Sequence, residues 1–115
     1  MKQYVVDEIR APDHEKIKTY LDEAFGPSEM GGIYWVPIAG NLLNDVQCAH
    51  VTCQPYVFAL DLEPVDLEPD RLTCELLVRT RNRIRCDCIG YATESQRNWV
   101  ISVVDAMFEK LEIYT

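Results

Sequence analysis

Apolar side chains at Tyr4, Val5, Val6 and Ile9 make residues 2–9 read as an opening strand. Ala11-Pro12 breaks the run, and Pro12 suits the first turn of a helix because its missing N–H would have no partner there in any case. Ile17, Tyr20, Leu21, Ala24 and Phe25 then recur at helical offsets, with Asp13 and Glu15 near the positive end of the helix dipole. This spacing predicts an amphipathic helix that Gly26-Pro27 stops.

Four of the five glycines lie between Gly26 and Gly40, around the short apolar run from Ile33 to Ile38 that carries Tyr34 and Trp35. The pattern is loop, short strand, loop. A further extended stretch is expected around Val46–Thr52, and the aromatic and β-branched content of Tyr56–Leu62 predicts another strand. The tandem Asp61-Leu62-Glu63-Pro64 and Asp66-Leu67-Glu68-Pro69 reads as an exposed acidic loop running to Asp70, since proline cannot donate to a ladder. A hairpin is expected from Leu72 to Tyr91 around Arg81-Asn82-Arg83. In that register Leu72, Cys74, Leu76 and Val78 share a face with Ile84, Cys86 and Cys88, and Arg79 faces Arg85.

The last element is a helix opened by a Thr93/Gln96 capping box. From Trp99 to Leu111 only Ser102, Asp105, Glu109 and Lys110 are polar, a narrow solvent stripe that asks for cover on a second flank. The order β-α-β-β-β-β-α predicts an α+β fold. Its expected form is a two-layer sandwich with two helices on a mostly antiparallel sheet of about five strands, in one domain over residues 1–115.

Composition narrows the functional classes. At 115 residues, 48% hydrophobic and 26% charged, the chain has the make-up of one ordinary globular core, with no apolar window long enough for a membrane helix and no secretory leader pattern near Met1. A net charge of −8 opposes general binding to nucleic acid or anionic membranes, which is driven by Lys and Arg. Five cysteines, an odd number, are expected to be reduced thiols in a cytoplasmic setting.

Candidate chemistry gathers in three places. Arg79, Arg81, Arg83 and Arg85 are four of the eleven basic residues and could fork onto an acidic protein segment or a phosphate. Cys48, His50 and Cys53, with Cys86 and Cys88, could in principle enclose a tetrahedral metal. Their spacing lacks a repeated knuckle, so packing as small core hydrophobes is the preferred reading and no metal or cofactor is assigned. The glycine-rich stretch lacks the Gly-Lys-Ser/Thr of a phosphate loop. Of the two imidazoles His14 sits at helical spacing with Ile17 and Leu21, and His50 beside Cys48 or Cys53 is the better candidate for a Cys/His pair, but proximity along the chain is not catalytic geometry and no catalytic residue is named.

In size, acidity and mixed make-up the chain is similar to small bacterial secretion chaperones, which work as dimers, although no motif carries the likeness and a strand stands where their opening helix is expected. The expectation is therefore a non-enzymatic protein-binding or regulatory domain, homodimeric through Trp99, Val103, Ala106 and Met107, with the arginines as charged recognition elements. Two alternatives stay open: a Cys/His metal-binding or thiol-dependent enzyme, and an anion or nucleotide binder using the arginine hairpin and the glycine-rich loop.

Overall fold

The run Tyr56-Val57-Phe58-Ala59-Leu60-Asp61-Leu62 has too little polar character for a strand wetted on one face, and it lies at the centre of the sheet with six of its seven residues buried. The computed structural model describes residues 2–28, 31–62, 70–80, 86 and 88–113. Its elements are β1 (Gln3–Ile9), α1 (Ala11–Phe25), β2 (Ile33–Pro37), α2 (Asp45–Ala49), β3 (Tyr56–Leu62), β4 (Asp70–Glu75), β5 (Leu77–Thr80), β6 (Gly90–Tyr91) and α3 (Glu94–Lys110). Single 3-10 turns occupy Gly40–Leu42 and Val51–Cys53.

β3 pairs antiparallel with β2 on one edge, and on the other with β4 and β5 in succession, Leu62 facing Leu72 and Tyr56 facing Thr80. β4 and β5 act as one long strand interrupted at Leu76. Its far edge takes β1 along β4 and β6 along β5. The interruption is bridged there: Leu76 N–H donates to the Lys2 carbonyl, and the Leu76 carbonyl accepts from Ala92 N–H.

One face of the sheet carries Tyr34, Val36, Phe58, Leu60, Leu72, Cys74 and Val78, and these form a single core with Ile17 and Leu21 of α1 and Val100, Val104, Met107 and Phe108 of α3. Two hydroxyls tie the helices to that face. Tyr34 donates to Asp22 of α1 and Tyr4 donates to Asp105 of α3, each at 2.6 Å. The expected α+β sandwich of helices on an antiparallel sheet is therefore the observed fold.

α1 ends at Gly26 (φ 83) as its sequence implies. Gly32 has a stricter role. At φ 98 it lies so close to β3 that an added Cβ would sit 2.5 Å from the Leu62 carbonyl oxygen, so only glycine allows β2 to start beside β3 there.

Two expectations are corrected. Val46–Thr52 is not extended: Asp45–Ala49 is α2 and Val51–Cys53 a 3-10 turn, because Asn44 and Gln47 form a capping box that offers the backbone a helical start. The two valines of that stretch, Val46 and Val51, are both exposed. The hairpin register also differs. Val78 faces Gly90, not Cys86, and β6 is only two residues long, since the chain turns at Cys86–Ile89 instead of continuing as a strand. Cys86 and Cys88 keep the two-residue spacing of a strand but lie in a turn, and Ile84 falls outside the described residues. With α2 and β6 counted, the described residues hold three α-helices and six strands.

Candidate metal centre

A five-residue helix cannot hold itself in water. α2 is held by a pair of interlocked caps. Asn44 Oδ1 accepts from Gln47 N–H at 2.8 Å while Gln47 Oε1 accepts from Asn44 N–H at 3.0 Å. Thr93 and Gln96 repeat the arrangement at the start of α3. Gln96 Nε2 joins the two, donating to Gln47 Oε1 at 2.8 Å and to the Leu42 carbonyl at 2.9 Å. Both glutamines are buried, 2% and 0% exposed, so little water competes for these bonds. The segment leading out of α2 thus starts from a fixed point.

That segment delivers His50 at the end of α2 and then makes its 3-10 turn, with Cys53 N–H donating to the His50 carbonyl at 3.0 Å. Three residues per turn eclipse positions i and i+3, so the imidazole and the thiol leave the turn on one side. A second turn faces them. Ile89 N–H donates to the Cys86 carbonyl at 3.0 Å, and the Cys88 backbone N–H donates to the Cys86 sulfur.

The donor atoms of His50, Cys53, Cys86 and Cys88 all lie within 4.8 Å of one another. His50 Nδ1 is 3.2 Å from Cys86 Sγ, and Cys53 Sγ is 3.8 Å from Cys86 Sγ. With Zn–S near 2.3 Å and Zn–N near 2.0 Å, a tetrahedral ion sets sulfur–sulfur edges of about 3.8 Å and sulfur–nitrogen edges of about 3.5 Å. The first edge is met as it stands, and the second needs a movement of a few tenths of an ångström. So short a spread fits one ion, and a cluster would need its ligands to straddle two or more.

The surroundings act on the thiols in opposite directions. Cys86 is held down to about 6, first by the Cys88 N–H and then by the side chains of Cys88, Cys53 and His50. Burial pushes Cys88 the other way, up to about 11. Two thiols this close resist ionising together unless a cation lies between them. Tyr56 and Thr80, opposite each other across the β3–β5 ladder, both support the site. The Tyr56 hydroxyl bonds to the Cys88 sulfur and lies 3.5 Å from the His50 carbonyl, and the Thr80 hydroxyl donates to the Cys53 carbonyl. Cys53 and Cys88 are 3% and 4% exposed, whereas His50 and Cys86 are half-buried, so the cluster opens to solvent on one side.

The other sequence candidates lie elsewhere. Arg79 forks onto Glu75 at 3.0 and 3.4 Å, which neutralises it within the sheet. Arg81, Arg83 and Arg85, and most of the acidic loop at 63–69, fall outside the described residues. On α3 Trp99 is half-buried against Phe58, Val103 is half-buried, Ala106 is exposed and Met107 belongs to the core. Cys48 is exposed and Cys74 buried, both apart from the four-ligand group. A cavity of about 410 Å³ between α1 and the glycine-rich turn is lined by His14, Lys18, Asp22 and Tyr34, but Asp22 already accepts from both Lys18 and Tyr34.

The sequence offered His50 and these cysteines, together with Cys48, as one possible metal group and preferred core packing; the structure brings four of the five together and leaves Cys48 apart. The recoverable signal is His50-x-x-Cys53 directly after an Asn44/Gln47 capping box, a ligand pair on a helical turn instead of a strand. No family model, curated protein or solved structure matches the chain.

Proposed function

We propose that this chain is a zinc-binding domain whose Cys3His centre, formed by His50, Cys53, Cys86 and Cys88, fastens the turn after α2 to the turn before β6. The convergence of four ligand atoms within 4.8 Å carries this reading. Three soft sulfur ligands and one imidazole match zinc better than the oxygen-loving Mg²⁺ or Ca²⁺. Four protein ligands leave no open position for substrate, which makes the role structural and agrees with a non-enzymatic domain. The N–H and O–H groups aimed at Cys86 and Cys88 are of the kind that orient metal ligands and steady their charge.

Native mass spectrometry of protein purified without chelator tests it. The expected result is about one zinc ion per chain, replaceable by Co²⁺ with the intense visible bands of a tetrahedral site and a thiolate-to-metal charge-transfer band. A chain that retains no zinc and gives no such bands with Co²⁺ overturns the reading.

A further inference from the structure

The four ligands differ in their access to solvent and in their distances from one another. Cys53 and Cys86, 33 positions apart in the chain, have sulfurs 3.8 Å apart. A disulfide needs about 2.05 Å, so a closure of under about 2 Å would join them. Cys53 is buried and Cys86 half-buried, so a small oxidant meets the Cys86 side of the cluster first. The Cys88 sulfur also hydrogen-bonds with Cys86, Cys53 and the Tyr56 hydroxyl, but Cys88 shares with Cys86 the tight turn closed by Ile89 N–H, an unfavourable frame for bridging the two.

Resting on the zinc reading, we propose that the centre is a peroxide-responsive zinc switch: oxidation joins Cys53 to Cys86 and releases the metal. The Cys86 thiolate attacks hydrogen peroxide, breaking the O–O bond to form the Cys86 sulfenic acid, and the departing hydroxide takes a proton to become water. The Cys53 sulfur then attacks the sulfenic sulfur, forming the S–S bond and expelling hydroxide, which takes up a second proton as water. Two electrons pass from the sulfurs to one peroxide. Zinc left with only His50 and Cys88 has lost half of its ligands and dissociates to solvent. The turn after α2 and the turn before β6 stay cross-linked throughout, first by metal and then by a covalent bond. A thiol reductant with zinc restores the starting state.

Cys48 is exposed and outside the cluster, so the test uses Cys48→Ser protein to exclude bridges between chains. Zinc content is measured first, which separates failure of the zinc reading from failure of the switch. Hydrogen peroxide is then added with a zinc-indicating dye, and the product is digested without reductant for mass spectrometry. The expected result is release of about one equivalent of zinc, reversed by dithiothreitol and added zinc. It comes with a Cys53–Cys86 bridge assigned by fragmentation, because trypsin leaves Cys86 and Cys88 on one peptide. Cys53→Ser protein should instead stop at a sulfenic acid on Cys86 that dimedone traps. The same treatment of reduced, metal-free Cys48→Ser protein gives the same bridge, which keeps the chemistry testable if Cys53→Ser does not fold. Retention of zinc under excess peroxide overturns the proposal, as does a Cys86–Cys88 bridge or oxidation to sulfinic acid with no bridge. A chain with no zinc at the outset overturns it together with the reading beneath it.

Discussion

Cys74 and Cys53 are buried to nearly the same extent, 1% and 3% exposed, yet they sit in regions built for different ends. Cys74 lies on the core face of β4 between Leu60 and Tyr4 in the ladder, with only the Glu75 carbonyl at 3.6 Å to receive its thiol, and burial pushes it up to about 12. It packs as a small hydrophobe. Cys53 ends a 3-10 turn, where the same degree of burial is accompanied by a second sulfur at 3.8 Å and by an imidazole and a third sulfur within 4.8 Å. Burial says only that water has been removed. The chemistry of a cysteine depends on what takes the place of that water.

The widest gap between the regions is in thiol reactivity. In metal-free, reduced protein the Cys86 thiolate is populated above about pH 6, while Cys74 remains protonated until about pH 12. A lower pKa also weakens the nucleophile, so the full difference in thiolate fraction is not realised. Iodoacetamide at pH 7 should still label Cys86 at least about a hundredfold faster than Cys74. The same shift acts on stability. A thiol lowered by the fold from 9.0 stabilises the metal-free fold fully above pH 9, and that contribution is lost as pH falls through about 6. Peptide-resolved labelling across pH 5–9 measures both, and equal rates at the two cysteines would erase the contrast. Zinc should suppress the Cys86 signal.

Serine substitutions separate the regions next. With zinc at about a thousand times its Kd, the metal contributes roughly 4 kcal/mol to the folded state, so Cys53→Ser should lower Tm by more than about 10 °C and abolish stoichiometric zinc. Cys74→Ser should cost about 1–3 kcal/mol, because a buried hydroxyl needs a partner, and should leave zinc content unchanged. Calorimetry with and without EDTA reads the difference. Chelation should bring the wild type down towards Cys53→Ser and leave the deficit of Cys74→Ser relative to the wild type in place. A Cys74→Ser protein that loses its zinc would show the two regions to be one.

The same division explains how far the fold and the site were legible from the residues. Periodic elements were readable. α1 with its Gly26 stop, β3 over Tyr56–Leu62 and the Thr93 box of α3 each depend on local chemistry that a sequence displays, and each is where the pattern puts it. The ligand types of the metal end were readable but its backbone shape was not, because its segments are too short to show a period and their shape comes from distant partners. Val46–Thr52 was expected to be extended, but the interlocked Gln47 and Gln96 side chains, 49 positions apart, favour a helical turn. Alternating cysteines suggested a core face, and Cys88 does lie in the core with Cys86 packed against it, but the turn closed by Ile89 N–H takes them out of the ladder. Sequence spacing measures distance along the chain, and a metal site requires proximity in space.

The smallest effect is the sharpest probe of this division, because the two capping boxes are alike in chemistry and differ in the helices they open. Asn44→Ala and Thr93→Ala each remove one side-chain bond to a helix N-terminus, and each should cost about 1 kcal/mol of stability. Their effects on zinc should not match. Asn44 starts the five-residue helix that ends at His50, so its loss loosens a ligand and should weaken zinc binding up to about tenfold in competition with a chromophoric chelator. Thr93 starts a seventeen-residue helix anchored by Val100, Val104 and Phe108, and the bonds from Gln96 Nε2 to Gln47 and Leu42 do not depend on it. Zinc affinity in Thr93→Ala should therefore stay within about twofold of wild type, a change of a few tenths of a kcal/mol. Equal weakening in both variants would mean that the interlocked boxes respond as one unit and that the fixed point behind His50 is the glutamine pair, not the cap of α2.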